Sequence, residues 1–117
     1  MPQQDLYVGL GCLLYSVAKA DGYLQPEERR TIKQVLGRQA HGELALNAFK
    51  VQEALNRKPE ESYGTALRRL VENRTDFDKH TRSVFLEILQ QVAMAANGIS
   101  DAEKDIIKRF RRDLGQI

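Results

Sequence analysis

Apolar residues recur through most of the chain at the three- and four-residue spacing of a helix face, and nowhere in the sustained alternation that would make a strand. Leu6, Leu10, Leu13, Leu14 and Val17 predict a first helix from about Gln4 to Ala20. Gly9 and Gly11 fall inside it. Each glycine costs a helix about 1 kcal/mol relative to alanine, so the pair marks either a close backbone crossing or a weak helix start. Asp21-Gly22 closes the helix, because glycine accepts a left-handed backbone and aspartate stabilises the turn with its own side chain. Pro26 then opens a second helix at the position where a missing N–H costs nothing, and Glu27 and Glu28 place negative charge at its positive end. That helix should run to about Gly37 or Ala40, burying Ile32, Val35 and Leu36 and turning Arg29, Arg30, Lys33 and Arg38 to water.

After the break at His41-Gly42, a third helix is predicted from about Glu43 to Asn56, with Leu44, Ala48, Val51 and Leu55 on one face and Phe49 beside it. Lys58-Pro59 stops it. A fourth, from about Glu60 to Asn73, carries Tyr63, Ala66, Leu67, Leu70 and Val71. Thr75, Asp76 and Asp78 compete to cap a fifth and longest helix reaching about Ala96, with Val84, Phe85, Ile88, Leu89, Val92 and Ala95 apolar. Beyond Asn97-Gly98-Ile99, Ser100 and Glu103 form a capping box for a last helix that buries Ile106, Ile107, Phe110 and Leu114. The expected architecture is all-α: one compact domain of about six helices.

The helical pattern is also duplicated. At an offset of 75 residues, Leu14, Val17, Ala18, Ala20, Glu28, Ile32 and Lys33 stand over Leu89, Val92, Ala93, Ala95, Glu103, Ile107 and Lys108. Two helix-turn-helix copies, about 10–37 and 85–112, are joined by the third and fourth helices. The second copy changes the turn: Ala96, Asn97 and Gly98 replace Asp21, Gly22 and Tyr23. Asparagine and glycine preserve the left-handed bend, but the carboxylate is lost.

Composition narrows the function classes. With 117 residues the chain suits one hydrophobic core, and a net charge of +2 is too small to predict a polyanion partner. Cys12 is the only cysteine, so no internal disulfide or thiolate metal cage can form, which suits a reducing cytoplasm. The apolar stretch from Leu6 to Ala20 ends in the small-residue pattern of a signal-peptide cleavage site. No Lys or Arg precedes it, Asp5 does, and its counterpart Val84 to Ala96 sits mid-chain around Glu87, so a buried helix is the better reading. At about 15 residues it is also shorter than the ~20 of a bilayer span. His41 and His80 have no second histidine at ligand spacing. Lys104, Lys108, Arg109, Arg111 and Arg112 complement the negative end of the last helix and lack interleaved aromatic residues for stacking on bases. No glycine-rich phosphate loop, nucleophile elbow or separated acid and base suggests catalysis.

Val17-Ala18-Lys19-Ala20-Asp21-Gly22-Tyr23-Leu24, with Glu27-Glu28 and Ile32, resembles the signature of the TerB-like domain of tellurite-resistance proteins, and is similar to the N-terminal region of DjlA-type DnaJ co-chaperones. The resemblance implies a compact helical domain with the motif in both halves, an acidic and metal-binding character, and an association with tellurite and chemical stress. On that basis Asp21, Glu27 and Glu28 are candidate ligands for a weakly held divalent cation such as calcium or magnesium. The interval is too short for an EF-hand loop and lacks its intermediate ligands, so a site would have to borrow Asp101, Glu103 or Asp105 from the other copy. The competing assignments are that Asp21 caps its turn while Glu27 and Glu28 serve the helix dipole, or that all three form an acidic docking patch. The expectation is a non-enzymatic, cytoplasmic TerB-like domain whose partner is another protein and not nucleic acid, with peripheral contact to an anionic membrane left open. The alternative is a co-chaperone-like interaction module with no metal site.

Overall fold

The computed structural model describes residues 2–95 and 98–117. They form six helices: α1 (Pro2–Ala18), α2 (Pro26–Leu36), α3 (Gly42–Ala54), α4 (Pro59–Glu72), α5 (Lys79–Ala93) and α6 (Asp101–Leu114), with no strand among the described residues. The all-α architecture is as expected. The longest helix is α1, at 17 residues, and not α5, which has 15. Asp78 wins the competition to cap α5, its carboxylate accepting from Thr81 N at 2.8 Å. The turn substitutions at Ala96 and Asn97 lie outside the described residues.

α1 is the axis of the domain. From Leu10 to Ala18 every residue is buried, which is what a helix apolar on all sides requires. α3 and α4 pack along it, joined by a buried hydrogen bond from Ser62 Oγ to Gln52 Oε1 of 2.7 Å. Gly9 and Gly11 mark close crossings. A Cβ on Gly11 would run into the Ala45 carbonyl and lie 2.8 Å from Ala48 Cβ, and one on Gly9 would meet Leu70 and Ala66 at 3.2–3.3 Å. Leu14 and Leu89, the matched residues of the two copies, are both fully buried in the same core.

Three expectations need correction. The buried face of α3 is Ala45, Ala48, Phe49 and Gln52, while Val51 and Leu55 are 53% and 65% exposed. The reason is Gly11: α3 must present alanines to approach α1 closely, and that rotates its larger aliphatic residues outward. Val71 of α4 is likewise exposed, at 40%. Arg29 does not simply face water but forms a two-pronged ion pair with Glu53, tying α2 to α3.

The second helix of each copy lies against the first helix of the other, α2 on α5 and α6 on α1. This exchange carries the starts of α2 and α6 toward one another.

Candidate functional site

Both of these helices begin with the same local device. In α2 the Glu28 carboxylate reaches back one turn and accepts from Gln25 N at 3.1 Å. In α6 Glu103 accepts from Ser100 N at 3.1 Å, and Ser100 Oγ accepts in return from Glu103 N at 3.1 Å. A glutamate at the third position of a helix ordinarily does this at the surface. Here the two glutamates are only 2% and 4% exposed. Their carboxyl groups lie within hydrogen-bonding reach of each other. One oxygen of each is satisfied by its own cap, while Oε2 of each is buried and reached by no donor of any other described residue.

Two carboxylates cannot share a dry pocket with both charges intact. Burial is the largest influence on Glu28, followed by the hydrogen bond with Glu103, and these outweigh the Gln25 amide that favours the ionised form; the charges of Glu103 and Asp21 add to the rise. Together they push Glu28 up to about 9. At neutral pH Glu28 therefore keeps its proton, and its contact with the Glu103 carboxyl group is a hydrogen bond and not a meeting of two charges.

The other candidate residues are placed differently. Asp21 is exposed; its Oδ1 accepts from Tyr23 N at 3.1 Å, and Gly22 follows at φ +90°, so the aspartate makes the turn while remaining open to solvent. Its charge nevertheless acts on Glu28. Glu27 and Asp101 are exposed at the first turns of α2 and α6, as dipole-complementing residues are. The structure thus brings Glu28 and Glu103 together and sets Asp21 nearby. Among the described residues no cluster of three or more His, Cys, Asp or Glu side chains is arranged to hold a metal ion. The chemistry available is that of an acid pair, which takes up a proton or, with further oxygen donors, a hard cation.

His41 stacks at a tilt on Tyr7, ring centroids 5.5 Å apart, and serves packing. Cys12 is 2% exposed and its thiol is pushed up by burial, the mark of a core residue. No helix among the described residues is long and apolar enough to cross a membrane.

A family model described as tellurite resistance protein TerB matches residues 8–116. No curated protein and no solved structure matches the chain.

Proposed function

The chain belongs to the TerB family, and on that premise we propose that it is a non-enzymatic domain, serving a response to tellurite or chemical stress, whose paired corners respond to a divalent cation. The observation carrying this reading is the pair of buried Oε2 atoms on Glu28 and Glu103, which no donor of another described residue reaches. Oxygen donors of this kind suit calcium or magnesium. Glu28 and Glu103 would hold the ion, and Asp21, open to solvent beside them, would be the carboxylate recruited to it. The ion would neutralise the pair in place of the Glu28 proton. Glu27 and Asp101 stay outside this arrangement.

Thermal unfolding in a chelating buffer, then with calcium or magnesium at millimolar concentration, tests it. Binding to the native state must raise the melting temperature, and the rise should be lost in Glu28→Gln and reduced in Asp21→Ala. A melting temperature indifferent to both ions rejects the cation and leaves the acid pair as a proton-held joint. The domain would then be an interaction module in the manner of the co-chaperone region. That second reading is favoured by the absence of any third ligand among the described residues.

A further inference from the structure

We propose that the groove between α5 and α6 docks an acidic amphipathic helix of a partner protein. The groove is open, has a volume of about 400 Å3, and is lined by the apolar Ile99 and Ile107, by Gln90 on the α5 side, and by Lys104, Lys108 and Arg111 along α6. The three cations follow one another at four- and three-residue steps and so rise along a single face of the helix. All three are exposed, and none takes part in an ion pair among the described residues.

α6 treats its other arginines differently. Arg109 is paired with Glu60 at 2.6 Å and lies over the ring of Tyr63, 4.3 Å from its centroid, while Arg112 approaches Asp113 at 3.4 Å. The chain therefore neutralises the arginines on one side of α6 and leaves the row beside α5 uncompensated. The helix dipole does not account for the whole row. Arg111 sits in the last turn, where a cation is favoured, but Lys104 lies near the start of α6, where the dipole opposes it.

Three features select the occupant. Ile107 is only 6% exposed and Ile99 is half-buried, so a flat anionic surface would meet the lysines without covering these two side chains. No aromatic residue lines the groove, which removes the stacking platform that bases need. From Lys104 to Arg111 the row rises about 10 Å at the pitch of a helix. A second helix with Asp or Glu at the same four- and three-residue steps matches that pitch, and its neighbouring apolar stripe would cover Ile99 and Ile107.

The inference is independent of the acid pair and is tested in a chelating buffer. A peptide library displayed on phage is selected on the wild-type domain and on the triple variant Lys104→Glu, Lys108→Glu, Arg111→Glu. These side chains are exposed, and unchanged thermal unfolding of the variant verifies its fold. Expected is enrichment of sequences with acids at i, i+4 and i+7 beside an apolar stripe. A synthetic peptide of the winning sequence should bind the triple variant at least about tenfold more weakly by fluorescence anisotropy. Its Glu→Gln and Leu→Ser analogues should both lose affinity. Winners without acidic residues, winners retained by the triple variant, or no enrichment at all would overturn the proposal. So would tighter, lysine-dependent binding of a single-stranded oligonucleotide or of phosphatidylserine vesicles.

Discussion

Replacing Glu28 by Gln isolates the most unusual electrostatic feature of the fold. The amide keeps an oxygen for the Gln25 N–H and supplies a donor for Glu103, but it removes the proton equilibrium. The sign follows from linkage. Below the ordinary carboxylate value of about 4.5 both folded and unfolded chains hold the Glu28 proton; between that value and about 9 only the folded chain does. Raising the pH through this window therefore destabilises the native state, and above about 9 the dependence levels off. One such proton changes stability by about 1.4 kcal/mol per pH unit. Between pH 5.5 and 7.5 the loss is on the order of 3 kcal/mol, or roughly 10 °C in melting temperature for a chain of this size. Urea unfolding followed by circular dichroism, in a chelating buffer across that range, measures it. The wild type should lose stability steadily, whereas Glu28→Gln should be nearly flat and the more stable at the upper end. Glu53, held low chiefly by its hydrogen bond with Arg29, and Asp78, held low chiefly by the Thr81 amide, act oppositely and at lower pH; their stabilisation is lost as pH falls through their lowered values. A wild-type profile flat from pH 5.5 to 7.5, or the same slope in Glu28→Gln, would refute the proton on Glu28.

Gly11→Ala should destabilise the domain by about 2 kcal/mol or more in chemical denaturation, because its Cβ is blocked by α3 backbone. Gly9→Ala, whose nearest contacts are 3.2–3.3 Å and include movable side chains, should come out near neutral once helix propensity is added; equal effects would dismiss the close crossing with α3. Tyr63→Phe removes the 2.5 Å hydrogen bond to Asp113 and should cost about 1–2 kcal/mol by the same measurement. Modification of the Cys12 thiol by a disulfide reagent should proceed only at the rate of unfolding and accelerate in Gly11→Ala, since burial both covers it and pushes its pKa up. Fast labelling of the native protein would contradict that placement.

Local patterning was legible wherever neighbours in sequence supply the forces. The turn at Asp21-Gly22, the proline start of α2 and the Ser100–Glu103 box are each built from residues within three or four positions, and the structure has all of them. α3 shows the limit. Leu44, Val51 and Leu55 share a face with Ala48 on the helix wheel, yet the face that packs is set by the alanines that let α3 approach Gly11. Side-chain hydrophobicity ranks candidate faces; the permitted distance between two backbones chooses among them.

The candidate site divides in the same way. Pro-Glu-Glu opens both α2 and α4, and in each the second glutamate reaches back to its cap, Glu28 to Gln25 N and Glu61 to Lys58 N at 3.0 Å. In sequence the two are equivalent, yet Glu61 is exposed and Glu28 is sealed against Glu103. The sequence alone determined the all-α class, the duplication and the starts of α2 and α6, because helix formation and capping are local and repeat with the residues that encode them. Only the tertiary structure decided which caps became an acid pair: desolvation depends on what surrounds a carboxylate, and the carboxyl group that meets Glu28 stands 75 residues further along the chain.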